Sequence, residues 1–304
     1  MKRKIKGYFK KLFKILSKPE MAILPSNIAF NLILAIIPLL TVIVLIASSF
    51  DISVDLVTKL IQGIMPEQVS SVIIDVVSGK GFDTNIGISN FLAFFLASNG
   101  TYAIINASDT LYKIDNKDKI KKRISSLIIL LIIIMLLLFV AIVPLFGENI
   151  IALMHKAKIL EQYIDEITII FNVIKWPLTL FILYFNIKLI YTIAPSKNIK
   201  SKETTYGALF TTIMWLIATA VFKFYLSYFA RYDILYGNLS SIIIMFVWFY
   251  FISFIFVLGM AINASQREEQ EFLEETKRLA LTELKKENKR KKKKLKKEEN
   301  DSDK

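Results

Sequence analysis

The chain has 304 residues, 54% of them hydrophobic, with a formal charge of +13, one histidine and no cysteine. Without cysteine it can form no disulfide, thiolate metal site or cysteine nucleophile, and a lone histidine rules out HExxH and multi-histidine zinc sites. Mean hydropathy is +0.50; the charge sits mostly at the two ends, while residues 25–264 are dominated by Ile, Leu, Phe, Val and Tyr, so the excess apolar surface calls for lipid as its solvent.

Residues 2–18, KRKIKGYFKKLFKILSK, put Ile5, Tyr8, Phe9, Leu12, Phe13 and Leu16 at helical spacing with lysines on the other face. This pattern predicts a basic amphipathic helix within 1–20, suited to an anionic membrane surface. No cleavable signal peptide is expected, because the first apolar run is too long and lacks an A-x-A-like site.

Six apolar runs then read as membrane-spanning helices, at about 27–50, 88–112, 125–146, 173–194, 204–229 and 238–264, each near the roughly 20 residues that a bilayer requires. Pro38 should kink the first. The second carries Ser98-Asn99-Gly100, which predicts a mid-span break, followed by Asn106 and Asp109. The third is the most purely apolar and should face lipid. The fourth has Trp176-Pro177 near its expected start, where proline is tolerated. External amphipathic segments are expected at 51–80, with one stripe before Pro66 and one after it, and more weakly at 149–167. A charged tail, 265–304, should leave the last span as a solvated helix; the run KRKKKKLKK at 289–297 predicts a disordered electrostatic end.

Lysine and arginine counts orient the spans. Eight lie before Pro19, six in 113–123, three in 194–203 and fourteen from Ser265 onward, against five in the three opposite loops. The positive-inside rule therefore places both termini in the cytoplasm, and an even span number follows. The fold class expected is an all-α integral membrane protein with six transmembrane helices and short amphipathic helices at the surface. Anionic lipids are the expected partners of the basic N-terminus and tail. No aromatics interleave the lysine run for base stacking, so no specific nucleic acid is expected; a homo-oligomer remains open.

Ionisable and amide groups inside spans mark candidate functional positions, since burying them in hydrocarbon is costly. A substrate path between spans one, two, five and six would use Asn31, Pro38, Ser98, Asn99, Gly100, Asn106, Asp109, Lys223, Tyr225, Tyr236, Gly237 and Asn238. The structural alternatives are interhelical bonding for the amides, an electrostatic cap on the 113–123 loop for Asp109, and snorkelling for Lys175, Lys188 and Lys223. No catalytic residue, metal site or cofactor is expected: there is no Walker A sequence, no glycine-rich phosphate loop, and no partner set for His155.

Tyr206-Gly207-Ala208, Trp215, Tyr225, Tyr236-Gly237-Asn238-Leu239, Trp248-Phe249-Tyr250, Leu258-Gly259 and Asn263-Ala264 form an ordered series. With Ala29-Phe30, Pro38-Leu39-Leu40, Arg123, Trp176-Pro177 and Pro195, it resembles the YihY/virulence factor BrkB family of bacterial inner-membrane proteins over roughly residues 20–264. That family was formerly taken for ribonuclease BN, an assignment since regarded as mistaken. Two positions depart from its pattern: Ala261 stands where members often have Glu in a Gly-x-Glu-x-Asn ending, and Asp109 where Asn is usual. The resemblance implies a non-enzymatic protein of the bacterial cytoplasmic membrane that transports or exports a lipid or other envelope component. A non-transporting membrane scaffold or assembly factor is the alternative, and a nuclease is disfavoured.

Overall fold

In the computed structural model the described residues are 12–49, 58, 62, 66–78, 87–115, 117–134, 163–228 and 237–302, and all regular structure among them is helical. The main helices are α1 (Glu20–Ser49), α2 (Glu67–Ser78), α3 (Gly87–Leu111), α4 (119–134), α5 (Ile164–Ile193), α6 (Thr205–Tyr228) and α7 (Ser240–Ser302), the last entered through a 3-10 turn at Gly237–Leu239. Two of them are long and apolar enough to cross a membrane by length and composition, α6 and the Ser240–Lys285 stretch of α7. On α6 a row including Leu209, Ile213, Leu216, Ile217 and Val221 stays exposed, more apolar surface than a water-soluble helix presents.

The first described turn, residues 12–16, folds onto the bundle. Residues 12–16 are helical, with Ile15 and Met21 buried in the core, whereas Phe13 and Leu16 point outward. The amphipathic stripe is therefore split: Ile15, outside the stripe, holds the bundle, and its apolar neighbours remain free for a membrane surface. Positions 1–11, with Ile5, Tyr8 and Phe9, lie outside the described residues.

Helix α7 is central, packing against α1, α2, α3 and α6, while α1 pairs with α3 and α5 with α6. One apolar cluster joins Met21 and Ile28 of α1, Ile104 and Ile105 of α3, Ile187 and Tyr191 of α5, and Phe256–Ala261 of α7. A second sits toward the other end of α7, where Val69 and Ile73 of α2 cover Ala29, Phe222, Ile244 and Trp248. The stripe after Pro66 is thus packed over the bundle; the one before it, and 149–162, lie outside the described residues.

Three expectations are corrected. Helix α3 runs unbroken through Ser98-Asn99-Gly100. The Ser98 hydroxyl donates to Phe95 O at 2.6 Å and that of Thr101 to Ser98 O at 2.9 Å, so these side chains bond their own helix. Gly100 supplies close packing: a Cβ there would come within 2.9 Å of Leu32 on α1. Helix α5 begins at Ile164, taking in the end of the 149–167 segment and leaving Pro177 in its interior; one lost hydrogen bond does not end a 30-residue helix. In the described part of the third span, 125–134, Ser126, Ile129, Leu130 and Ile134 are buried and Ile128 and Leu131 exposed; the rest of that span lies outside the described residues. Finally, the lysine run is helical, because α7 continues to Ser302. Lys, Glu and Leu favour helix, and extending a formed helix avoids the nucleation cost.

Candidate functional site

Polar chemistry gathers where α3 ends, α4 and α6 begin, and α7 leaves the apolar bundle; this ring of segments forms a collar. Helix α3 stops in a Schellman turn: Lys113 takes a left-handed φ of 55°, Ile114 N–H returns to Asp109 O at 2.8 Å, and Lys113 N–H to Thr110 O at 3.2 Å. The Asp109 side chain, 3% exposed, accepts from the Ser196 N–H at 2.8 Å and the Ser196 hydroxyl at 2.7 Å. The Lys122 ammonium lies 2.8 Å away and reaches Asn106 Oδ1 at 3.4 Å. One carboxylate thus joins α3, the start of α4 and the α5–α6 connection. Asp118 caps α4 by accepting from Lys121 N–H at 3.0 Å, and that bond holds its carboxyl below the usual carboxylate range.

Farther along α3 from its C-terminal end, Arg123 donates to Asn99 Oδ1 at 2.8 Å and to Phe95 O at 2.7 Å. Its guanidinium stands 3.7 Å from the Phe95 ring centroid. Thr101 reaches Ser126 O at 2.7 Å, so α3 and α4 are tied at two levels.

A third junction joins α5, α6 and α7. Asn263 Oδ1 accepts from the Gly207 N–H at 2.7 Å, and its amide donates to Thr204 O at 3.2 Å; an α7 side chain thereby satisfies a first-turn donor of α6. The Tyr191 hydroxyl donates to Phe256 O at 2.6 Å and meets the Thr211 hydroxyl at 2.7 Å. The backbones approach so closely that a Cβ on Gly259 would overlap Thr211 Oγ1, and one on Gly207 would overlap Gly259 O and Asn263. Trp215 Nε1–H donates to Ile252 O at 3.0 Å, extending the α6–α7 seam.

Beyond this seam, the connection before α6 and the first exposed turns of α7 enclose a cleft of about 380 Å³ lined by residues 198–206 and 266–274. Arg267 spans its floor, 3.6 Å from Glu203 and 2.8 Å from Glu271. Among the described residues, Glu203 Oε2 and Arg267 Nη1 are buried without a hydrogen-bond partner, as is the Tyr112 hydroxyl. Lys113 and Glu268 close the collar with a 2.7 Å bond. That bond holds the Glu268 carboxyl below its ordinary value and raises the Lys113 ammonium above its own.

The sequence profile described as Virulence factor BrkB matches residues 13–281. The chain belongs to that family. Among relatives of this BrkB-family chain is the ribonuclease-like protein YfkH of Bacillus subtilis, 26% identical over 85% of this chain and 94% of its own length. UPF0761 membrane proteins VP0125 of Vibrio parahaemolyticus and NTHI0384 of Haemophilus influenzae are each 25% identical, over 88% and 87% of this chain and 85% and 96% of their own lengths. No solved structure matches. The chain is accordingly a membrane protein of the BrkB/UPF0761 group; neither the family description nor these names establish an enzymatic activity for it.

Within this BrkB-family chain the described candidates predicted from sequence fall on α1, α3, α6 and the turn before α7. Asn99, Asn106 and Asp109 share α3 and are each bonded to α4, with Ser98 and Gly100 on the same helix. Asn31 donates back to Asn27 O at 2.9 Å on α1, and Pro38 lies further along that helix, which continues through it. Lys223 and Tyr225 are exposed on α6, about 24 Å from Gly207 at about 1.5 Å per residue. Lys188 places its ammonium 5.8 Å from the Tyr184 ring, compatible with snorkelling. Gly237, with φ of 52°, is exposed and about 39 Å along α7 from Asn263; Asn238 sits in the same 3-10 turn, and Tyr236 is outside the described residues. Sequence reasoning missed Lys122, Ser196, Tyr191, Thr204, Thr211 and Arg267. The available signals were a serine directly after Pro195 and the Gly207–Asn263 pair in the family series. Among the described residues no group of three His, Asp or Glu side chains could hold a metal.

Proposed function

We propose that this chain crosses a bacterial cytoplasmic membrane six times, with the collar and both termini in the cytoplasm, and moves a lipid or lipid-linked envelope component. Lysine and arginine bias supports the orientation, since the collar segments 113–123 and 194–203 are basic. The observation that carries the reading is the distribution of polar groups. At the collar most are closed by direct bonds around Asp109, Arg123 and Asn263, while the described interior beyond it is mainly apolar, with Ser70, Trp248 Nε1 and Ser253 among its buried polar groups. A water-soluble solute would need polar partners across the whole thickness. An amphiphile needs them only at the interfaces, its chains remaining in lipid beside the exposed face of α6. Lys223 and Tyr225 would meet a headgroup at the outer interface, and the collar at the inner one.

Reconstitution tests this. Vesicles holding the purified chain and a head-labelled phospholipid should show protein-dependent movement of label between leaflets, reduced by Lys223→Ala. Movement no faster than in protein-free vesicles, across several headgroups, overturns the reading. A second reading has its own observation: α7 carries Phe272, Leu273, Leu279, Leu281 and Leu284 exposed on a helix continuous with the bundle, as a scaffold presenting a partner surface would. Truncation after Glu275 that abolishes assembly with cytosolic partners but leaves lipid movement intact would favour it.

A further inference from the structure

Two neighbouring cations at the start of α4 reach in opposite directions along α3. Lys122 places its ammonium 2.8 Å from Asp109 and 3.4 Å from Asn106 Oδ1, at the collar. Arg123 donates instead to Asn99 and Phe95, which precede Asp109 by about 15 and 21 Å of helix at about 1.5 Å per residue. Ser126, one turn farther into α4, meets Thr101, which is nearer the collar than either of those acceptors. The guanidinium is therefore held pointing away from the polar end of the bundle. Snorkelling, by which long cations rejoin polar surroundings, would turn it the other way.

That charge has no counter-ion. Helices α3 and α4 and the turn between them carry three carboxylates, and each is matched by a lysine: Asp109 by Lys122, Asp115 by Lys117 and Asp118 by Lys121. Among the described residues no carboxylate pairs with Arg123. Its two acceptors are neutral, and its Nε–H is buried without a partner, so the full positive charge and part of its five-donor fork stay unused. The surface around it is apolar and uncovered. Ile120, Ile124 and Ile128 on α4 and Leu92, Phe95 and Leu96 on α3 are exposed. The Phe95 ring, 38% exposed, has its centroid 3.7 Å from the guanidinium carbon. A free phosphate would satisfy the arginine and leave those side chains bare. An anion carrying hydrocarbon chains answers both.

We infer that Arg123 and the flanking faces of α3 and α4 bind an anionic phospholipid, its phosphate on the guanidinium and its acyl chains against the exposed apolar side chains. Charge complementarity selects a lipid of net negative charge. A zwitterionic headgroup brings a cation of its own to a place where each neighbouring carboxylate is already paired. The inference rests on the lipid-handling reading, which puts this face against the bilayer, and it adds a charge class and a binding position.

The test uses the full chain in nanodiscs of phosphatidylcholine doped with phosphatidylglycerol or phosphatidylethanolamine, with retained lipid counted by native mass spectrometry. Phosphatidylglycerol should be retained in preference to both others. Arg123→Gln should weaken that preference about tenfold, as expected for losing a charge-assisted contact. Because this change also cuts a tie between α3 and α4, two further variants separate charge from packing. Asn99→Ala removes an acceptor of Arg123 and keeps its charge; it should lower the melting temperature and keep the preference. Leu96→Glu, at an exposed position beside Phe95, keeps the arginine and supplies the missing carboxylate; it should lower the preference as far as Arg123→Gln does. Lys277→Ala/Arg278→Ala, exposed on α7, should change nothing. Equal retention of the three lipids by the parent chain overturns the site. So does full preference in Arg123→Gln or, if that variant does not fold, in Leu96→Glu. Equal loss in Asn99→Ala and Arg123→Gln also overturns it, as a packing effect. Displacement of the lipid by chain-free glycerophosphoglycerol at matching concentration does so too, because it shows a soluble source. Preference for phosphatidylglycerol with no leaflet movement leaves the site standing and removes the transport reading. Leaflet movement with no such preference does the opposite.

Discussion

Asp109 holds a buried carboxylate in the last turn of α3, where the helix dipole disfavours an anion. Lys122 and the two donors of Ser196 offset that cost. Asp109→Ala leaves the largely buried Lys122 ammonium without its carboxylate, and should destabilise the purified protein by about 3–5 kcal/mol, read as a melting shift in detergent. The double variant Asp109→Ala/Lys122→Met should lose less than the sum of the single changes; strict additivity would show that the pair does not act as one. The exposed Lys113–Glu268 bond gives a smaller, pH-dependent effect. Glu268 is held below its ordinary value, so its contribution is present above the unfolded carboxylate pKa and lost as pH falls through the folded one. Lys113 is raised, so its contribution is full below the unfolded lysine pKa and lost as pH rises through the folded one. The stability difference between the parent chain and Glu268→Gln should therefore be flat across neutral pH and vanish at both extremes.

At the scale of elements, the three packed glycines separate structural demands that look alike in the sequence. A Cβ on Gly259 meets Thr211 and the Gly207 carbonyl, which is backbone and cannot give way. Gly259→Ala should cost about 1–3 kcal/mol or more and loosen the α6–α7 seam, measured as earlier melting and faster proteolysis of the 194–206 connection. Gly100 faces the end of the Leu32 side chain, which can move, and alanine gains about 0.8–1 kcal/mol of helix propensity there. Gly100→Ala should therefore be nearly neutral; a large loss of stability would show that Leu32 cannot yield. Hydropathy alone made the helices α1, α3, α5, α6 and α7 legible. It could not show that α3 stays whole, because Ser98-Asn99-Gly100 reads as a break until Ser98 and Thr101 are seen bonding their own helix and Asn99 is seen meeting Arg123. Pro177 misled in the same way, as a start signal that a long helix absorbs.

For the whole molecule, the apolar runs carried most of the described helices, whereas the candidate site was read only in part. Asp109, Asn106 and Asn99 stood out because polar groups are rare in apolar runs. Their partners Lys122, Ser196 and Arg267 lie in segments already expected to be polar, so nothing in composition set them apart, and the cleft exists only once the α5–α6 connection folds against α7. The described candidates lie at both ends of the bundle, with Lys223 and Gly237 tens of ångströms along their helices from the collar. The central claim is that this polar collar forms the cytoplasmic face of a six-span protein. Because the chain has no cysteine, single-cysteine labelling with a membrane-impermeant maleimide tests it without background. In sealed right-side-out cells or vesicles, Ser201→Cys and Gln270→Cys should stay unlabelled until the membrane is permeabilised, while Ser78→Cys and Gly237→Cys should label from outside. Labelling of Ser201→Cys and Gly237→Cys from the same side would contradict the account.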